Sequence, residues 1–304
     1  MSEQKSISAK NLNFFFLFPA ILSVLAILSI VLWGLKPGID LSGGALLQES
    51  YVGALPTVTQ IETVTAPLKI GEVRVQPSGA NAYAIRTRAL SNDEKVSLEN
   101  ALNTLGQAHE DQYTSVGPII GAELLDKGLL ALGLVTLCII LFIAFAFRHV
   151  SKPVASWKYG VVVIITLAHD ILVPTGVFAL LGHINGAEVD SLFIVGLLTI
   201  LGISINDTIV VFDRVRENLA INEAQHKRVP YDEVVGSSIV QTIARSNNTS
   251  LTVVIMLAAL YFVGPVTTQD FALTLIIGMV AGTYSSIFLA APLLVFWEKH
   301  QKKS

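Results

Sequence analysis

Between Val189 and Asn218 the chain reads VDSLFIVGLLTILGISINDTIVVFDRVREN, an apolar stretch long enough to cross a bilayer that carries Asn206 and Asp207 inside it. That carboxylate constrains the fold more than any other residue. Placing a charge inside a spanning segment costs at least ~2.5 kcal/mol on insertion scales, so one is kept where it has a partner or lines a wet path. A plainer reading makes Asp207 the mark of the helix end. Against it, Ile209, Val210, Val211 and Phe212 prolong the apolar run before the charged cluster Asp213, Arg214, Arg216 and Glu217 begins.

The composition agrees with a membrane setting. Of 304 residues, 52% are hydrophobic and 14% charged, against a charged fraction of ~25% in ordinary soluble proteins. The net charge of -3 and the lack of a basic stripe interleaved with aromatics argue against a nucleic-acid partner. The single cysteine, Cys138, falls in a predicted span, so no disulfide can form within the chain. No HExxH, Gly-x-Ser-x-Gly or Walker phosphate loop is present, which leaves metalloprotease, serine hydrolase and nucleotide-driven readings without a motif. We therefore expect no enzyme activity, no cofactor and no metal site.

Hydropathy predicts six transmembrane helices, near 14–35, 127–147, 159–181, the run from 189, 249–263 and 271–297. The first is longer than a signal h-region and ends at Trp33, so it is read as a retained span, not a cleaved signal. After the first span and its following GIDLSGG (Gly38–Gly44) comes the one polar stretch long enough for a soluble domain. Strand patterns at 45–52, 72–76, 82–88 and 109–116 alternate with helix patterns at 56–68 and 91–105, the latter opened by Ser91 with Glu94 at capping-box spacing. The order βαββαβ is that of an α+β ferredoxin-like domain. The expected divisions are 1–35 for the N-terminus and first span, 36–120 for this domain, and 121–304 for the remaining spans, with a cytoplasmic loop at 213–247.

Orientation follows from the basic residues. Segments 1–13, 148–158, 213–247 and 298–304 hold about 13 of the 20 Lys and Arg, including Lys5, Lys10, Arg148 and Lys152, whereas the loops near 182–188 and 264–270 hold none. The positive-inside rule then puts both termini in the cytoplasm and the soluble domain outside. An amphipathic helix from Tyr231 to about Ala244 reads as surface-lying or as a docking element, such helices being more often the former.

Three ionisable positions lie at depth. Asp170, beside His169, is near the middle of the third span, Asp207 is in the inner half of the fourth, and Arg245 stands at the inner start of the fifth. Antiparallel neighbours bring Asp207 and Arg245 to comparable depth, where they could pair and couple protonation to movement. His169 and Asp170 read equally well as a packing tie or as part of a proton path. Thr166, Asp170 and Pro174 recur at four-residue steps, as do Arg245 and Thr249, with Thr252 on the same face. In the sixth span Thr274, Gly278, Gly282, Ser286 and Ala290 form a small-residue stripe, which by default packs within the bundle. The two intramembrane Asp residues lack the Gly-x-Gly-Asp of intramembrane aspartyl proteases.

GIDLSGG, VGPIIGAEL (116–124), AHD, EVDSLFIVGLLTILGISINDTIVVFDRVREN, SIVQTIARSNNTSLT and GTYSSIFLAAPL together resemble the SecF family, the smaller membrane subunits of the bacterial SecDF protein-translocation complexes in the RND superfamily. The resemblance covers nearly the whole chain in order. It implies SecD as partner, association with the SecYEG channel, an unfolded preprotein as substrate, a bacterial inner-membrane location amid lipid, and proton-driven movement linked to positions matching Asp207 and Arg245. Asn206, His169 and Asp170 join them as candidate coupling residues. Two other readings are a half-size RND exporter of lipids or small molecules and a purely structural subunit, and sodium is a possible coupling ion.

Overall fold

The computed structural model describes residues 15–79, 81–147 and 156–301; Lys5, Lys10, Arg148 and Lys152, the start of the first predicted span at Phe14 and the last residues of the C-terminus lie outside them. The chain divides into a sheet-containing unit, Lys36–Leu129 with Glu188–Ser191, and a helical unit made of the rest.

The helical unit is built from apolar segments whose backbone bonds close within each helix, the arrangement a bilayer demands. Helix α1 (Leu17–Trp33) is followed in the sheet unit by the four-residue α2 (Ile39–Ser42). Among the described residues, five later helices are long and apolar enough to cross a membrane. They are α5 (Pro118–Ala146), α6 (Ser156–Ile184), α7 (Ser191–Ala224), α8 (Tyr231–Val263) and the run formed by α9 (Val266–Ser285), a π turn (Ser286–Ala290) and α10 (Ala291–Gln301). Helix α1 meets α6 backbone to backbone: a Cβ on Gly176 would fall 2.4 Å from Ala26 Cα, and Ser29 Oγ donates to the Gly176 carbonyl at 2.7 Å. Near the base of the bundle Phe147, Tyr159 and Phe212 stack or meet edge to face, surrounded by Val211, Val215, Tyr231 and Leu294.

The helices extend further than hydropathy expects. Within residues 213–247 only 225–230 are not helical, because α7 runs on to Ala224 and α8 begins at Tyr231. The amphipathic segment from Tyr231 to Ala244 is the first part of α8, with Tyr231, Val234, Val235 and Ile239 buried against the bundle and not spread on a surface. The charged residues that ended the hydropathy window sit on helix; Arg214 Nε donates to Gln241 Oε1 and Asn218 Nδ2 to Ser238 Oγ, tying the extension of α7 to that of α8.

In the sheet unit β1 (Gly44–Val52), α3 (Val58–Thr65), β2 (Arg74–Pro77), β3 (Ala82–Thr87), α4 (Asn92–Asn103) and β4 (Gln107–Val116) follow the predicted order. Neighbours β2-β3-β1-β4 are all antiparallel, the strand order of a ferredoxin-like sheet. Ser91 and Glu94 form the expected capping box, and Arg88 with the Ser91 amide holds the Glu94 carboxyl down at about 2. The first helix starts at Val58, two residues after Pro56: Thr57 is its N-cap and exchanges bonds with Gln60. Leu47, Tyr51, Ile61, Ile85, Leu98 and Leu102 make the core between sheet and helices.

Glu49 lies on that core face between Leu47 and Tyr51, at the bulge where the β1–β4 register shifts, and is 2% exposed. Burial pushes its carboxyl up to about 7, Glu99, Glu110 and Asp111 add repulsion, and Lys95 opposes them. Because the folded value lies above that of the unfolded chain, this contribution is complete below about 4.5 and fades as pH rises through about 7. Amide exchange in β1, corrected for its intrinsic pH dependence, is therefore expected to slow between about pH 8 and about pH 5.5. Glu49→Gln should remove that dependence; an unchanged slope in the variant would show that another group titrates.

Candidate functional site

The polar side chains within the helical unit form a layer. On α6, Asp170 is 0% exposed and accepts a hydrogen bond from Ser204 Oγ of α7. The next turn of α6 carries Pro174, which has no N–H to offer the Asp170 carbonyl, so the backbone loses a helical bond at the residue that bears the carboxyl. Beside it His169, 3% exposed, has Nδ1 2.7 Å from Ser23 Oγ of α1 and Nε2 2.5 Å from the Tyr284 hydroxyl of α9. Thr166 turns back to its own helix carbonyls at Val162 and Val163.

Asp207 occupies the same layer on α7 and is 7% exposed. Its Oδ2 accepts from Ser250 Oγ of α8 at 3.5 Å, and Ser250 in turn accepts from Thr283 Oγ1 of α9 at 2.6 Å. Ser246, one turn before Ser250, is also buried. Thr208 Oγ1 shares a 2.9 Å hydrogen bond with Ser286 Oγ at the start of the π turn. A hydroxyl of α8, backed by one of α9, thus meets the Asp207 carboxyl, and hydroxyls from α1, α7 and α9 meet the His169–Asp170 pair.

The small-residue stripe makes this layer possible. A Cβ on Gly278 would lie 2.1 Å from Ile200 Cδ1 and one on Gly282 would lie 2.9 Å from Ser204 Cβ, while Thr274 Cγ2 sits 3.1 Å from the Cβ position of Gly196. With Thr208 and Ser286, which are 78 positions apart, these contacts step along α7 and α9 in the same direction, so the two helices run parallel. Gly278, Gly282 and Ser286 therefore face α7.

The ion pair expected between Asp207 and Arg245 is absent among the described residues. Helical geometry is the reason. Ser246 and Ser250 occupy the face of α8 turned toward α7, whereas Arg245, Thr249 and Thr252 lie on its exposed side. Asn206, about 100° around the helix from Asp207, is exposed as well. Sequence reasoning did not pick out Ser23, Ser204, Ser250, Thr283 or Tyr284. The signal for two of them was present in the four-residue spacing of Ser204 with Thr208 and of Ser246 with Ser250; Ser23 stands alone in apolar surroundings and gave none, and Thr283 and Tyr284 lie in the polar run 283–286 with no spacing that marked them.

Fold and site together define a polytopic α-helical membrane protein with a small antiparallel α+β unit and a buried layer of carboxyl, imidazole and hydroxyl groups. Residues 97–300 match the family described as protein export membrane protein SecD/SecF, C-terminal. The protein translocase subunit SecF of Thermobaculum terrenum is 39% identical over 297 residues, covering 93% of this chain and 91% of its own length. The protein translocase subunit SecDF of Thermus thermophilus is 34% identical over 257 residues, which cover 84% of this chain and 31% of that one. The crystal structure of SecDF from the same organism, a translocon-associated membrane protein, superposes with a TM-score of 0.82 at 30% identity and covers 98% of this chain. The chain spans 40% of the length of that SecDF. It belongs to the SecD/SecF family of protein export membrane proteins.

The parallel contact has a direct test. Gly282→Ala places a methyl against Ser204 and should lower the thermal midpoint of the detergent-solubilised chain, by an overpacking cost of about 1–3 kcal/mol. Gly133→Ala, with open space around the added atom, should leave it unchanged; equal shifts in both variants would remove the close contact from the account.

Proposed function

We propose that this chain is a protein translocase subunit that acts with SecD and the SecYEG channel and uses the proton gradient to promote export of unfolded preproteins. In this reading six helices, α1 and the five longer ones, cross a bacterial cytoplasmic membrane. Both termini are cytoplasmic, and the ferredoxin-like domain of residues 36–120 faces outward. Lipid meets the apolar outer faces, such as Leu130, Leu134, Leu137 and Leu141 of α5.

One observation carries it. A buried carboxyl, Asp207, lies behind a side of the bundle on which Arg245, Thr249, Thr252 and Asn206 are exposed. Ionisable groups at bilayer depth face protein or water, not hydrocarbon, so this polar side needs a second bundle or a wet path against it. SecD supplies the bundle: a relative that joins both names in one chain, SecDF, is about three times as long as the segment matched here. Water between the bundles gives Asp207 access to protons, and Arg245 is one side chain away from answering its charge. Asp170 has no such exposure and serves to tie α6 to α7 through Ser204. Carrying one charge through a membrane potential of 100 mV is worth ~2.3 kcal/mol, enough to shift a two-state helix packing more than tenfold.

The reading is tested in inverted membrane vesicles. Asp207→Asn and Arg245→Met should leave SecD copurifying while cutting the gradient-dependent part of export by about tenfold or more. Asp170→Asn, which keeps an acceptor for Ser204, should retain most of it. Undiminished export in the Asp207→Asn variant would sink the reading. Loss of SecD copurification in the same variants would favour a purely structural subunit.

A further inference from the structure

Within the helical unit α1 and α6 run parallel, since their contacts advance together: Ser23 meets His169, Ser29 meets Gly176, and Trp33 stacks on His183 with ring centroids 5.1 Å apart. At Gly176 the two backbones touch, with no room for a Cβ beside Ala26. Toward the start of α1 a groove opens between them. There the rings of α1 turn to the last span instead, Phe15 onto Phe288 at 4.8 Å and Phe18 onto Tyr284 at 5.1 Å between centroids. The groove has a volume of about 460 Å³, within the ~300–1,000 Å³ range of small-molecule sites.

Small residues make this space. Ala20 of α1 and Ala168 of α6 line it where a Leu or Phe would fill it, and Leu289 of the π turn lines it too. Both alanines are exposed, as are Ile164 and Ile165, so the groove is open along the flank of the bundle. Its walls carry no Asp, Glu, Lys or Arg. The polar side chains that reach it are Ser23 and His169, and they are already bonded: the imidazole Nδ1 to Ser23 Oγ and Nε2 to the Tyr284 hydroxyl.

We propose that this groove seats one acyl chain of a membrane lipid against the Ser23–His169 bond. Cavities lined by hydrocarbon stay dry, whereas a chain of methylene groups gains dispersion contacts with every wall. An uncharged lining with its two polar groups already paired suits an occupant that is apolar along its length, which excludes a headgroup and selects the tail. A protein helix is too thick. It measures ~10–12 Å across its side chains, and α1 and α6 close to backbone contact at Gly176, about two turns from His169. The inference rests on α1 and α6 lying in a bilayer, as in the reading above, and not on proton coupling.

The test uses the full chain copurified with SecD, in phosphatidylcholine vesicles doped with a phosphatidylcholine that carries a diazirine midway along one acyl chain. After photolysis, peptides containing Ala20 and Ala168 should carry about ten times the label found on the exposed face of α5 around Leu134, a preference of about 1.4 kcal/mol. Ala20→Phe with Ala168→Phe should bring that label down to the α5 level. Both positions are exposed, so the variant should still copurify with SecD; Ala168→Leu, a smaller filling, should lower the label part of the way, and Leu134→Phe should leave it unchanged. Equal label on the groove and on α5 would reduce the groove to ordinary bilayer contact, and undiminished label in the filled variants would put the chain elsewhere; either result overturns the site. Label on the chain alone that disappears when SecD is present would assign the groove to a SecD helix and overturn it as well. Absence of label from α1, α5 and α6 together would overturn the membrane placement of these helices, and the site with it.

Discussion

The parallel approach of α7 and α9 at Gly278 and Gly282 governs what the rest of the bundle can do. With no side chain at these positions, Ile200 and Ser204 reach into the space next to the α9 backbone. That closeness brings Thr208 within bonding distance of Ser286 and leaves Ser204 free to serve Asp170 on a third helix. A bilayer provides no hydrophobic drive for helices to associate, so small residues and hydroxyl bonds supply it. In this chain the same few residues do both, and the polar layer and the packing of the bundle cannot be separated.

Much of this was legible beforehand. The four-residue recurrence of Thr274, Gly278, Gly282 and Ser286 announced a close helix contact, although not its partner or its direction. The ferredoxin-like order was readable because alternation in strands and the Ser91–Glu94 cap are local signals that the tertiary structure did not override. The helix ends were not readable in the same way. Hydropathy falls at Asp213 because side chains become charged, yet the backbone has no reason to stop there, and α7 continues to Ala224.

Asp207 and Arg245 make no direct ion pair, for a reason that depth alone could not reveal. Two residues on antiparallel neighbours can share a depth and still differ in azimuth. Ser246, adjacent to Arg245, takes the inward position, and the arginine is carried about 100° away from it. Sequence patterning placed Arg245 with Thr249 and Thr252 on one face but had no means of saying that this face was outward. Hydroxyls such as those of Ser250 and Thr283 escaped notice for a related cause: a serine or threonine in a membrane helix can bond its own backbone and so carries little positional information.

The π turn at Ser286–Ala290 accommodates one residue more than an α-helical turn, and it lies directly after the polar layer. Here the two residues at its leading edge, Ser285 and Ser286, are both serines and both fully buried. Each donates its hydroxyl to the Gly282 carbonyl one turn back. The widened turn therefore enters the interior of the bundle with its polar groups bonded.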